Sequence, residues 1–387
     1  MRSRSPVPLF LVVLACTSSA CSGDDLSGEA DRGFGDGSFE PTGAIRVVTV
    51  RSGLSHPWGL TFLPDRRMLV TERAGALYIV AANGSSAKEI GGVPDVRASG
   101  QGGLLDVAID PAFADNGRVY LSFAEPGEDG TAGTAVARGN LVDERLEDVT
   151  VIYRQEPKTA GGNHFGSRLV FADDGTLFVT QGDRAEQRER AQDLSMLQGK
   201  VVRIATDGSI PADNPFVGRV DARPEIWSYG HRNMQGAALH PVTRTLWTNE
   251  HGAQGGDELN APESGKNYGW PVITYGRDYD GSQIGLGTAQ EGMEQPVHYW
   301  DPSIAPSGLA FYTGDAIPEW RGSALIGSMK FSRLVRLALD GNRIVGEERL
   351  LADVDERIRD VRQGPDGLVY LLTDADDGRI LRIEPAR

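Results

Sequence analysis

Six stretches of this chain repeat one layout: alternating apolar residues, a polar turn, then a second apolar strand. They are GLTFLPDRRMLVTER (59–73), LLDVAIDPAFADNGRVYLSFAE (104–125), SRLVFADDGTLFVTQGDR (167–184), QGAALHPVTRTLWTNEHG (235–252), PSGLAFYTGDAIPEWRGSALIGSMK (306–330) and IRDVRQGPDGLVYLLTD (358–374). Period-2 alternation marks half-buried strands, and Pro-Asp, Asp-Asp-Gly and Pro-Asp-Gly are turn chemistry. The starts lie 45 to 71 residues apart, room for about four strands plus loops per unit. Further strands follow several copies at 75–80, 199–205, 332–338 and 378–384. The 49 glycines and 21 prolines suit so many turns. A pair of β-sandwiches or a solenoid is the alternative, but irregular repeats with long insertions fit a propeller better. The expectation is all-β: a six-bladed β-propeller of four-stranded antiparallel blades over residues 45–387. One stretch departs from it. Arg184–Gln198 lacks Gly and Pro and reads as a short helix inserted in a loop.

The N-terminus reads as a targeting segment, residues 1–21. Arg2 and Arg4 precede a short apolar run, Val7–Ala15, too brief to span a bilayer. Cys16 and Cys21, the only cysteines, each follow a small or apolar run of the kind that precedes a lipidated bacterial cysteine. Lipidation at Cys21 is favoured over plain cleavage near Ala20. The expected destination is the periplasm, free or as an anchored lipoprotein. Residues 22–44, rich in Gly, Ser and Asp, read as a flexible linker. The net charge of −15 repels phosphate backbones, so nucleic acid is not an expected partner.

The segment just upstream of each repeat holds polar residues: His56-Pro57-Trp58, Gln101, Asn163-His164, Arg232-Asn233 and Ser303, with Arg357 and Arg359 bracketing the last strand start. In a propeller whose repeats begin with the innermost strand, these loops meet around the axis. Such a pocket would gather Arg232, Lys330, Arg357 and Arg359. Cations concentrated in an acidic chain suit a multiply anionic ligand, and arginine forks suit carboxylates. The plainer reading pairs each arginine with a local Asp or Glu. His164 lies between glycines in Gly161-Gly162-Asn163-His164-Phe165-Gly166 and has two readings: a general base, or a structural histidine. Asn249–Glu258 alternates glycines with oxygen ligands of the kind calcium takes, without the spacing of the helix-loop-helix calcium loop. No zinc spacing, Walker A loop, dinucleotide fingerprint or Gly-x-Ser-x-Gly elbow occurs.

These segments resemble the soluble quinoprotein sugar dehydrogenases, more closely their aldose sugar dehydrogenase branch than the classical glucose enzyme. The resemblance spans about residues 45–385. It is carried by Gly-Gln101-Gly-Gly-Leu, Gly-Gly-Asn163-His164-Phe-Gly-Ser-Arg-Leu, Gly-His231-Arg232-Asn233-Met-Gln-Gly, Glu250-His-Gly-Ala-Gln-Gly-Gly-Asp-Glu258-Leu-Asn, Lys-Asn-Tyr268-Gly-Trp-Pro, Pro-Ser303-Ile-Ala-Pro-Ser-Gly and Arg357-Ile-Arg359-Asp-Val. It implies a six-bladed propeller using pyrroloquinoline quinone (PQQ) and Ca2+. Lys330, Arg357 and Arg359 would meet the carboxylates of PQQ, with Asn233 and Ser303 also holding it. His164 would take the proton from the sugar C1 hydroxyl while hydride passes to the quinone, giving the lactone. Arg232 and a calcium ion would stabilise the charge on the quinone oxygen. Gln101 and Asn163 would orient the sugar or the histidine. One calcium would take the carbonyls of Gly252 and Ala253. A second, structural one would sit near Glu258 and the Tyr268 carbonyl. Asp374 matches a late acidic position of the family.

Two departures stand out. The glucose enzyme has an acid before its histidine, where this chain has Asn163, and it has Pro where Ala253 stands. Loops are short, so dimer-forming segments are not expected and a monomer is. The reading is thus an aldose dehydrogenase passing electrons to an unnamed acceptor. A calcium-dependent propeller lactonase is the second hypothesis, disfavoured because the axial positions are basic. A non-catalytic binding module anchored at the surface is the third.

Overall fold

A computed structural model describes residues 39–386, and in it each repeat opens the inner strand of a four-stranded antiparallel sheet. The inner strands are Pro57–Phe62, Leu104–Ile109, Leu169–Phe171, Met234–Leu239, Pro306–Phe311 and Ile358–Gln363. They pack one on the next around a closed ring, the sixth against the first. The expected all-β six-bladed propeller is what forms. The segments expected to be signal peptide and most of the linker lie outside the described residues. Among the described residues no helix is long and apolar enough to cross a membrane.

The ring closes by exchange between the chain ends. Blade six takes three strands from the C-terminus, and its fourth is Ile45–Leu54, antiparallel to Gly378–Pro385. A propeller leaves only short, protected edges, and here the last edge is covered by the first strand of the chain. Within the stretch expected to be a linker, residues 39–44 are held on blade five. Thr42 donates its backbone N–H and its hydroxyl to Glu348, Trp320 Nε1 donates to Thr42 Oγ1 at 2.7 Å, and Arg336 Nη1 donates to the Glu40 carbonyl.

Blades are apolar on both faces because each lies between two neighbours. Leu69 packs in the cluster shared with blade two, while Met68 and Val70 on the same strand pack towards blade six. Six such clusters fill the six inter-blade spaces. At the axis the contacts become ionic. The Arg168 guanidinium, almost fully buried, lies 3.2 Å from Asp106 and 2.9 Å from Asp360 and sits over the Trp58 ring. Its Nε donates to the Gln235 carbonyl and its Nη2 to the Arg359 carbonyl. Arg362 completes the group with both carboxylates. The buried Arg168 and the half-buried Arg362 thus neutralise two buried carboxylates where five blades meet, as charges withdrawn from water require.

The helix expected over Arg184–Gln198 is corrected to one five-residue 3-10 turn, Arg188–Gln192. The reason is competition for carbonyls. The buried Lys200 ammonium takes those of Arg190, Ala191 and Gln198, and the Gly230 N–H also takes that of Ala191. Helix propensity is a weak prior against such tertiary partners.

Candidate active site

His164 stands in the loop leading into blade three with φ of 54°, a left-handed conformation rare outside glycine. Its backbone N–H donates to Gln101 Oε1 at 2.9 Å, tying it to the blade-two loop. Arg184 holds the same turn from behind, donating to the carbonyls of Asn163 and Gly161 and stacking over the Phe165 ring. A Cβ on Gly182 would meet the His164 carbonyl at 2.0 Å, so only glycine lets the two segments approach this closely.

The imidazole is oriented by a residue that sequence reasoning missed. Asp183, fully buried, accepts from or pairs with His164 Nδ1 at 2.7 Å. Its other oxygen accepts from Trp270 Nε1 at 2.7 Å, and the Ala185 N–H donates to the first at 2.7 Å. The position before the histidine is Asn163; the carboxylate comes from the turn that follows the second strand of the blade, Leu177–Thr180. Burial pulls the histidine below its ordinary value, opposed by Asp183 and reinforced by Arg232 and Arg184. At neutral pH the ring is therefore unprotonated, with Nδ1 bound to the carboxylate and Nε2 able to accept a proton.

Gln101, Asn163, His164 and Arg232 line one polar cavity of about 520 Å3, with Ala253, Trp270, Glu186, Arg188, Asp278 and Tyr279. Three of the loops expected to meet at the axis, those of Gln101, Asn163-His164 and Arg232, do meet here. Arg232 is buried over the Trp270 ring, donates through its backbone to Glu250 and through Nη1 to the His251 carbonyl, and keeps a buried Nε without a partner.

A smaller cavity of about 100 Å3 adjoins, sharing Gln101 and lined by Trp58, Gln235, His251, Arg357, Arg359 and Asp374. Arg359 is buried, bonded to Gln235 Oε1 at 3.0 Å and Asp374 at 3.2 Å, and burial pulls its guanidinium down to about 10. Arg357 is more exposed, 3.4 Å from the same Asp374. His56 binds Asp374 as well, at 2.8 Å. The cations beside it outweigh burial and hold the Asp374 carboxyl down at about 2. Local pairing accounts for part of the set: the acid satisfies the arginines in part, and Arg359 Nε remains buried without a partner. Asn233 also has a free donor. Its Oδ1 accepts from Gly166 N–H and Gln235 Nε2, while Nδ2 is buried and unpartnered.

Two proposed cofactor residues are placed differently. The Ser303 hydroxyl donates to Asp257 at 2.6 Å, which also gathers the N–H groups of Gly252, Ile304 and Ala305. Lys330 is exposed with its ammonium over the Phe331 ring, and it lines neither cavity.

The Glu250–Glu258 segment places two carboxylates side by side. Both accept from Asn260 Nδ2, and burial together with Glu250 raises the Glu258 carboxyl well above the usual range. A pocket of about 10 Å3, room for one ion or water, lies between Glu250, Gly252, Glu258 and Tyr268. Among the described residues no three or more His, Cys, Asp or Glu side chains group as a metal cage. Any ion here therefore leans on backbone carbonyls, as hard cations do.

A base held by a buried acid lines a polar cleft beside an arginine-lined chamber. The comparisons put this β-propeller in the oxidoreductase class. The chain belongs to the glucose/sorbosone dehydrogenase family, whose model matches residues 54–382. It is 46% identical over 381 residues to the aldose sugar dehydrogenase YliI of Escherichia coli, covering 97% of this chain and 98% of that one. Among solved structures, the soluble aldose sugar dehydrogenase of Escherichia coli in its apo form superposes with a TM-score of 0.86 at 48% identity, over 88% of this chain and 100% of the other. The PQQ-bound aldose sugar dehydrogenase of Streptomyces coelicolor superposes at 0.73 and 30% identity, over 89% and 99%.

Proposed function

We propose that this protein oxidises aldose sugars at C1 to the lactone, with PQQ as resident cofactor, and passes the electrons to an external acceptor. The observation that carries the reading is the His164–Asp183 pair, open to the same cavity as Arg232. The residues present fit the cofactor. A tricarboxylate needs buried cationic and amide donors without partners, and Arg232 Nε, Asn233 Nδ2 and Arg359 Nε are three such groups. Arg357 and Arg359 would hold carboxylates and Asn233 a quinone or ring oxygen; Ser303 and Lys330 would need to turn from their present partners to join. When bound, PQQ supplies the oxidant that takes hydrogen and two electrons from the sugar carbon.

His164 Nε2 takes the proton of the C1 hydroxyl, and Asp183 stabilises the imidazolium that forms. Gln101 sets the backbone of the histidine, and Asn163 reaches the sugar from the exposed side of the loop. Arg232, desolvated against Trp270, offers positive charge where negative charge develops. Calcium fits at Glu250–Glu258, where a buried and a half-buried carboxylate lie side by side, with the Tyr268 carbonyl as a further ligand. The carbonyls of Gly252 and Ala253, beside the main cavity, would hold the ion that acts as Lewis acid. The charged-then-apolar leader and Cys21 support export, with a lipid anchor at Cys21.

Reconstitution tests this. The purified domain is mixed with PQQ, Ca2+ and glucose or another aldose, and reduction of an artificial dye is followed. Reduction that needs all three additions is the expected result. No reduction, with no PQQ binding by absorbance titration, overturns the reading.

A further inference from the structure

Among the described residues, Tyr279 is the one aromatic side chain left mostly in solvent, with 73% of its surface exposed. It is also at the mouth of the cavity whose floor holds His164 and Arg232. Every other aromatic ring among the described residues is buried or half-buried. A lone exposed ring is ordinary on a protein surface, but this one is held in place by a built support. Residues 277–283 form a tight hairpin. Asp278 N–H donates to Ser282 O and Gly281 N–H to Asp278 O, and Arg277 bridges Gln283. Asp278 Oδ1 and Asp280 Oδ1 cap the turn by accepting from the Tyr279 and Ser282 N–H groups. The hairpin is fastened at its base by paired backbone bonds between Arg277 and Gln254. Across the mouth it is fastened to the blade-three loop, where Arg188 Nη1 donates to Asp278 Oδ2 at 2.8 Å. The Tyr279 hydroxyl faces inward, 3.5 Å from Arg232 Nη2.

We infer that Tyr279 is a specificity-determining residue: its ring is the platform on which the C–H face of a pyranose rests while the reducing carbon reaches His164. A pyranose ring is amphipathic, with hydroxyls at its rim and a patch of axial C–H bonds on its face. Such a ligand takes a flat apolar surface on one side and polar groups around it. Tyrosine supplies that surface at a low cost in side-chain entropy, with a polar tip that here reaches Arg232. Here the polar groups are the remaining donors and acceptors of Glu186, Arg188 and Asp278. Because the hairpin is braced before ligand arrives, the platform is pre-organised, and little ordering remains to oppose binding. The ring is at the mouth and the base at the floor, so Tyr279 contacts the sugar away from the bond that breaks. Its contribution therefore falls on KM more than on kcat.

This inference rests on the aldose reading, and the test separates the two. Wild type, Tyr279→Ala and Tyr279→Phe are reconstituted with PQQ and Ca2+, and dye reduction is measured against glucose concentration. Glucose binding to each cofactor-free protein is measured in parallel by calorimetry, and PQQ affinity by absorbance titration. The expected result is a KM raised about fivefold to tenfold in Tyr279→Ala, the size of a lost aromatic contact. Tyr279→Phe should stay within about twofold of wild type, and PQQ affinity should be the same in all three. An alanine variant with wild-type KM and wild-type glucose affinity overturns the platform. So does a phenylalanine variant as impaired as alanine, which would assign the effect to the hydroxyl at Arg232. A wild type that binds glucose without oxidising it refutes the dehydrogenase reading alone, and the calorimetric comparison then decides on Tyr279. A wild type that neither binds nor oxidises aldoses overturns both.

Discussion

Trp270 Nε1 donates to Asp183 Oδ2 at 2.7 Å, so the acid that orients His164 is itself held from the opposite wall of the cleft. Every group around that carboxylate is a donor or paired with it: Ala185 N–H and His164 Nδ1 on one oxygen, the indole on the other. An amide cannot satisfy this arrangement, because its NH2 must face a donor or force the imidazole proton onto Nε2. Asp183→Asn should therefore lower kcat/KM about 100-fold to 1,000-fold. PQQ affinity, read by titration, should be unchanged. A variant with more than a tenth of wild-type kcat/KM would show that the pair is not what prepares the base.

The pH profile follows from the same residue. Burial is the largest influence on His164 and lowers it below 6.5, and only the neutral ring accepts a proton. Activity should be lost as pH falls through that lowered value and be retained at pH 7. The acid limb of kcat/KM should thus have an apparent pKa below 6.5. A limb above 6.5 would mean that Asp183 prevails over burial.

Asp374 links the arginine chamber to folding stability. Its folded value of about 2 lies below the unfolded value near 3.9. The stabilisation it provides is therefore present above about pH 4 and is lost as pH falls through about 2. Asp374→Asn should cost about 2 kcal/mol at pH 7, by urea denaturation of the cofactor-free protein. The difference from wild type should narrow between pH 4 and pH 2. A constant difference across that range would point to lost packing rather than charge.

The Glu250–Glu258 pair makes a prediction for calcium. Burial and Glu250 hold the Glu258 carboxyl up at about 8, and a cation joining the two would favour its charged form, so Ca2+ should raise the melting temperature of wild type and a chelator should reverse it. At a hundredfold excess over its dissociation constant the ion would add about 2.7 kcal/mol. Glu258→Gln removes one ligand and one repulsion together. It should melt higher than wild type without calcium only above about pH 8, where Glu258 is charged, and respond less when calcium is added at any pH. A full calcium response in Glu258→Gln would place the ion elsewhere.

Much of the fold is written locally. Each inner strand begins within a few residues of a repeat start, because alternation and turn residues act over a handful of positions. The loops leading into the blades were legible as a set for the same reason, and His164, Gln101, Asn163 and Arg232 do surround one cavity. Asp183 was not legible. It follows a strand in an ordinary Gly-Asp turn, and what distinguishes it is the histidine 19 residues back. Lys330 shows the opposite failure: its place in a motif says nothing of where a long, flexible side chain comes to rest. Nor did the Arg184–Gln198 composition reveal that Lys200 would claim its carbonyls.

The repeat pattern by itself determined that this chain builds six β units with polar loops at one end of each, since strand alternation and turn chemistry are properties of neighbouring residues. Only the tertiary structure decided that Ile45–Leu54 completes the last blade, that Arg168 finds Asp106 and Asp360 at the axis, and that Tyr279 stands over the cleft. Those contacts join residues from 47 to more than 300 positions apart along the chain. Their distances are set by closure of the ring, which fixes all six blades at once and is encoded in no single segment.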